Sequence, residues 1–199
     1  VMSLPVRWDL QPLPPKANQI RMIHHGSAGR SRKIEIMLEM MAYVDERFTL
    51  DLMMVSRDSK YWNKIVSLAK KRKNIRIVPP VPMQEIIPTI TRYDIGLYLA
   101  PPTNFNVKYM LPNKLFEFIQ ARLVVAIGPS IEMSKVVKKF NCGVVSKDFD
   151  PRSMANELNR LTTEKIMEFK QHSHEAASEL NADVSARRIK EIVHDLMEN

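Results

Sequence analysis

Leu111-Pro112-Asn113-Lys114-Leu115-Phe116-Glu117-Phe118-Ile119-Gln120-Ala121 lies between two short apolar runs, Asp94 to Ala100 and Leu123 to Ile127. The order is strand, loop, helix, strand. Pro112 suits the first turn of a helix, where its missing N–H would find no partner. A helix starting here turns free N–H groups and partial positive charge toward the preceding loop, an arrangement that attracts phosphate. Lys114 adds a full charge, and Glu117, three residues on, shares its face. Leu115, Phe116 and Ile119 form the buried side. The helix thus offers a phosphate-attracting end and, a turn further, a carboxylate able to accept from a sugar diol. The same Lys114 and Glu117 also read as an ordinary solvated pair on a surface helix.

Working outward, strands and helices alternate along the chain. Ile20–His24 reads as a strand and His25-Gly26-Ser27-Ala28-Gly29 as the turn after it. Arg30, Arg32 and Lys33 then open a helix with Ile34, Met37, Leu38 and Met41 at helical spacing. Gly26 allows a ligand close to the backbone; with three cations beside it, the turn is either an anion site or a tight turn before a solvated basic face. Phe48–Val55 is a second strand, Ser59–Lys73 a helix ending in Lys70-Lys71-Arg72-Lys73, and Asn74–Val78 a third strand. Pro79, Pro80 and Pro82 force an extended loop. Met83–Arg92 reads as a short helix interrupted by Pro88, Asp94–Ala100 as a fourth strand, and Pro101–Met110 as a polar loop without obvious structure. Leu123–Ile127 and Cys142–Ser146 are the fifth and sixth strands, separated by the helix Ile131–Phe140. Helices follow over Pro151–Leu161 and in two further segments.

This alternation predicts an α/β fold: a Rossmann-like parallel sheet of about six strands with helices on both faces. Ligands of such sheets bind beyond the carboxyl ends of the strands. Gly26, the Pro79–Met83 loop and Pro101–Lys114 all follow strands and should converge there.

Composition narrows the classes. The chain has 199 residues, 45% hydrophobic and 26% charged, as in an ordinary globular domain. Thirty Lys and Arg against 22 Asp and Glu give a net charge of +8, which favours anionic partners. A single cysteine, Cys142, excludes an intrachain disulfide and a cysteine zinc site. Arg7 and Asp9 interrupt any signal-peptide pattern, and no apolar run reaches membrane-spanning length, so a cytoplasmic location is expected. Basic residues are not interleaved with clustered aromatics, which argues against nucleic acid.

Several of these residues carry a resemblance. Asp94-Ile-Gly-Leu-Tyr with Leu111-Pro-Asn-Lys-Leu-Phe-Glu resembles the C-terminal half of group 1 glycosyltransferases of the GT-B fold. His25-Gly26-Ser27 with Arg30 and Lys33 resembles their first glycine turn and basic helix, and Phe140-Asn-Cys-Gly-Val-Val a later strand. The similarity spans Ile20 to Leu161. It implies a domain binding a nucleotide-diphosphate sugar as donor substrate, with no separate cofactor. Glu117 would accept from the ribose hydroxyls, and Lys114 with Arg30 or Lys33 would face the diphosphate. Val81, Pro82 and Met83 would lie toward the base, and Gly26, followed by Ser27 in the same binding turn, would leave room for the phosphates or sugar. Leu115 belongs to the same helix motif. It further implies a retaining transferase whose N-terminal acceptor domain is missing here, which would leave this piece inactive alone. Residues 1–18 would be an interdomain connector, 19–180 the donor domain, and 181–199 a helix crossing back to the missing half. Peripheral membrane contact of the full-length enzyme is compatible with the charge. Two departures stand out: Tyr109 occupies the place of a family glutamate, and Arg122 and Val124 stand where Gly and Pro are common. Tyr109 keeps a second reading open, a non-catalytic nucleotide-sugar binding module.

Overall fold

The computed structural model describes residues 4–198. Six strands, β1 (Ile20–Ser27), β2 (Phe48–Val55), β3 (Ile75–Val78), β4 (Ile95–Tyr98), β5 (Val124–Ile127) and β6 (Gly143–Val145), form one sheet in the order β3-β2-β1-β4-β5-β6. Every pairing is parallel. The chain therefore winds outward from β1 to one edge, returns, and continues from β4 to the other. The crevice between the carboxyl ends of β1 and β4 is where such sheets receive ligands.

Side chains alternate strictly between the two faces, because successive residues of a strand point to opposite sides. Met22, Leu97 and Val124 pack with helices α1 (Ile34–Met40), α2 (Ser59–Ala69) and α7 (Pro151–Asn159). Their neighbours Ile23, Tyr98 and Val125 pack with α3 (Ile86–Ile90), α5 (Asn113–Gln120) and α6 (Ile131–Phe140). Helix α8 (Thr163–Glu179) serves both layers, giving Ile166 and Phe169 to one and Ala176 and Ala177 to the other. Its Lys170 is fully buried and donates to Tyr93 O at 3.0 Å, 3.4 Å from Asp94 Oδ1. Helix α9 (Ala182–Glu198) leaves Ile189, Ile192, Val193 and Leu196 exposed.

The structure corrects several sequence expectations. β1 continues through Gly26 and Ser27, which pair with Met54 and Val55, so the turn starts later than its composition indicates. Arg30–Arg32 form a 3₁₀ turn, and Lys33 takes a left-handed φ of 49° before α1 begins at Ile34. Pro88 does not interrupt a helix. It stands third in α3, where no intrahelical acceptor awaits an N–H. Pro112 is the N-cap of α5 and not its first turn. The loop after β4 holds a further helix, α4 (Phe105–Tyr109), whose start is fixed by Asn104 Oδ1 accepting from Val107 N at 2.9 Å.

Helix α5 approaches the sheet closely because β4 presents no side chain to it at Gly96. A Cβ there would meet the Phe118 ring at 2.2 Å. Such an approach is far inside contact distance, so substitution forces the helix or the ring to move. Gly96→Ala should therefore lower stability by about 1–3 kcal/mol, read as a lower urea midpoint at unchanged slope; an unchanged midpoint would contradict this packing.

Candidate functional site

The first strand delivers two adjacent histidines, His24 and His25, to the crevice, followed by Gly26. Both rings are buried, and their Nε2 atoms have no hydrogen-bond partner within the protein. His24 Nδ1 lies 2.8 Å from Leu97 O. Burial holds His24 far below the usual imidazole range, and burial with the nearby Lys114 ammonium lowers His25 to about 3. Both are neutral at physiological pH. Gly26 has φ +108°, a conformation that side chains rarely accept. A Cβ built there would stand 3.4 Å from Lys114 Nζ.

Lys114 thus reaches from the first turn of α5 to the end of β1, and its ammonium sits 4.5 Å from the centre of the Tyr98 ring. Burial and the Arg32 charge push its pKa down to about 7, against a smaller opposing pull from Glu117. Glu117, one turn along, is half-buried with Oε2 3.5 Å from His25 Nε2. Burial raises its pKa and Lys114 counteracts this. The solvated-pair reading is therefore overturned, since both groups are withdrawn from bulk water and turn toward the end of β1. Leu115 lies in the apolar core, and its N–H donates to Pro112 O at 3.0 Å, so its side chain is structural. Pro112 supplies no side-chain cap, which leaves the N–H groups of Asn113 and Lys114 without one.

Of the three cations after the glycine turn, the structure brings Arg32 to this cluster. Its guanidinium donates to Tyr98 Oη at 2.7 Å and contacts Met110 Sδ at 2.9 Å. Arg30 is drawn away to Asp58, 2.7 Å distant, which also caps α2 by accepting from Tyr61 N. Lys33 is exposed at the left-handed junction between the 3₁₀ turn and α1. The expectation that Arg30 or Lys33 accompanies Lys114 thus gives way to Arg32. The reason is phase: three residues of 3₁₀ turn rotate the side chains differently from an α-helix. Ser27 is exposed at the last pair of β1.

The proline loop approaches the same cluster. Val81 borders a small recess of about 90 Å³ with His25, Gly26 and Ile86. Pro82 caps a 3₁₀ turn, Met83–Glu85. Met83, Gln84 and Ile87 line a larger cleft of about 380 Å³ that Asn113 and Glu117 also border. Its opposite wall comes from Leu4, Val6 and Trp8. Those residues, together with His25, Tyr98 and Asn113, are functional-site candidates that sequence reading passed over. The consecutive histidines in an otherwise apolar strand were the one available signal. Among the described residues, no group of His, Cys, Asp and Glu could hold a metal ion, and no helix is long and apolar enough to cross a membrane.

No protein-family model and no curated protein sequence matches the chain. Its fold does match solved structures. A glycosyltransferase from Rickettsia africae superposes with a TM-score of 0.76 at 13% identity, over 92% of this chain and 49% of that one. Anabaena Alr3699/HepE in complex with UDP-glucose gives 0.74 at 12% identity, over 90% and 50%. The C-terminal domain of LpcC, a group 1 family glycosyl transferase from Francisella tularensis, gives 0.62 at 11% identity, over 80% and 84%. The chain spans about half the length of several of the transferase chains it matches. Its fold is that of the C-terminal half-domain of GT-B group 1 glycosyltransferases.

Proposed function

We propose that this chain is the donor-binding domain of a retaining glycosyltransferase that takes a sugar from a nucleotide diphosphate. The observation that carries the reading is the Lys114 ammonium poised over Gly26, with Glu117 one turn further facing the same strand end. Lys114 and Arg32 supply positive charge where a diphosphate would lie. Glu117 supplies an acceptor for a ribose diol, and the Val81–Met83 segment borders the space beyond. The Anabaena neighbour was solved with UDP-glucose, which supports the substrate class.

Such a site acts through charge. When the bond from the sugar to the diphosphate breaks, negative charge grows on the leaving phosphate. A preorganised cation in a partly dehydrated site stabilises that charge at small reorganisation cost. The ammonium has already lost much of its hydration, so an anion restores what burial removed. No protein nucleophile is assigned, and no catalytic base.

An acceptor-binding N-terminal half, absent here, would complete the cleft. Two features support it: the chain covers about half of structural neighbours such as the Anabaena protein, and α9 exposes Ile189, Ile192, Val193 and Leu196 along one stripe. On this reading the present chain binds donor without transferring sugar. A second reading, a non-catalytic nucleotide-sugar binding module, draws on Tyr109, which is 40% exposed in α4 where the family carries a carboxylate.

Calorimetry with uridine, guanosine and adenosine diphosphates should detect micromolar-to-millimolar binding to one of them. Glu117→Ala and Lys114→Ala should each weaken it about tenfold to a hundredfold; absence of heat with all three would refute the donor site. Transfer activity of the chain joined to an acceptor half, set against binding without turnover, separates enzyme from module.

The lowered pKa of Lys114 gives a pH signature. The ammonium is half-charged at about pH 7, fully charged well below it and progressively neutral above it. Affinity for a nucleotide diphosphate should therefore fall between pH 7 and 9 in the wild-type protein, approaching tenfold per pH unit. Lys114→Arg, whose charge persists, should flatten that fall; an identical decline in both would remove Lys114 from the site.

A further inference from the structure

The segment from Leu4 to Leu10 belongs to no helix or strand, yet it forms one wall of the 380 Å³ cleft beside Glu117. Specific bonds hold it there. Arg122 donates through Nη2 to Trp8 O at 2.7 Å and through Nε to Leu10 O at 3.2 Å. Gln120 Oε1 accepts from Trp8 N at 3.2 Å, while Gln120 Nε2 is anchored on Ala177 O and Leu180 O at 2.8 and 3.1 Å. Ala182 N donates to Pro5 O at 2.8 Å. Both Gln120 and Arg122 are buried, and both lie at the end of α5, the helix that carries Lys114 and Glu117.

Arg122 is an unexpected residue for its backbone. Its φ of +63° is the left-handed conformation that closes many helices and that glycine adopts most easily. An arginine is sterically strained there in a way that glycine is not. Its guanidinium offsets this by holding Trp8 and Leu10, which explains the departure from the glycine common in resembling sequences.

The cleft so formed has a definite chemistry. Trp8, Met83 and Ile87 give it apolar and polarisable sides, and Gln84 and Asn113 bring amides to it. A flat heterocycle with a polar edge suits such a space: its faces meet an aromatic ring and a thioether, and its edge meets amides. The cleft is also continuous with the candidate donor site, because Glu117 borders both.

We infer that the Leu4–Trp8 segment, clamped by Arg122 and Gln120, is the outer wall of the nucleobase subsite, with Trp8 lying against the bound base. The inference rests on the reading of Glu117 as the ribose acceptor. Arg122 acts as a positioning residue, touching the segment and not the nucleotide. The consequence is that nucleotide occupancy and the placement of this segment are coupled through α5.

The sequence holds two tryptophans, so Trp62→Phe leaves Trp8 as the sole emitter. Titrating that protein with uridine, guanosine and adenosine diphosphates should change Trp8 emission for the nucleotides that bind. Inorganic pyrophosphate, which reaches only the cationic end, should leave emission unchanged. In calorimetry, Arg122→Gly should weaken the nucleoside diphosphate about tenfold and leave pyrophosphate affinity as it was. Glycine suits the backbone at that position, so the helix end is retained. Val6→Trp, at a residue 59% exposed, fills the cleft without touching the core and should show the same split. Nucleoside diphosphate binding that depends on Glu117 but leaves Trp8 emission flat, and is untouched by Arg122→Gly and Val6→Trp, would overturn this inference while leaving the donor site standing. Loss of both nucleotide and pyrophosphate binding in the wild-type chain would overturn both.

Discussion

One constraint governs the site: the Lys114 ammonium must fit over a strand end without a side chain. Gly26 supplies that opening, and its φ of +108° turns the backbone in a way that other residues resist. The Tyr98 ring faces the charge, and Arg32 braces the tyrosine hydroxyl from the other side. Two neutral histidines complete the surroundings, since proximity to Lys114 helps keep them unprotonated. The result is a cation with little local compensation. Such charge is tolerated at functional sites because a ligand supplies the missing partner.

Close packing makes this geometry rigid. Phe118 lies against the bare backbone of Gly96, which draws α5 onto the sheet and fixes the height of Lys114 and Glu117 above it. The Phe118 ring also meets His25 edge-on, with centroids 5.2 Å apart. One aromatic residue therefore sets the position of both the helix and the strand end. From the other end of α5, Gln120 and Arg122 reach the N-terminal segment. A single short helix thus links Lys114, Glu117 and the N-terminal wall of the cleft.

The sheet order assigns these parts their places. Because the winding reverses between β1 and β4, the loops after these strands diverge and open a crevice. Gly26 and the residues leading into α5 flank it, and the loop after β3 closes one side. The bond from Ala182 to Pro5 brings the start of α9 beside the N-terminal segment.

Much of this was legible in the chain itself. Alternating apolar runs and helical spacings gave six strands and their helices, since burial on one face or two leaves a local, periodic trace. Lys114 and Glu117 were legible as a pair because helical spacing alone puts them on one face. Element ends were less so: β1 runs on through Gly26 and Ser27 because β2 offers it partners, which its own residues do not announce. Pro88 and α4 were misread for a similar reason, as position within a first turn and an Asn104 cap decide them.

What the tertiary structure alone decided is which polar groups lose water and which meet. Arg30, Arg32 and Lys33 are equivalent as letters, yet a 3₁₀ turn and the reach of Asp58 send only Arg32 to Tyr98. Arg122 looked like a divergence from a glycine and proved to be a clamp on a segment more than a hundred residues away. Periodicity is a property of neighbours in the chain, whereas desolvation and long-range hydrogen bonds depend on what the rest of the fold places alongside. Sequence therefore determined the architecture and the helix that carries the site, and packing determined its charge, its walls and its partners.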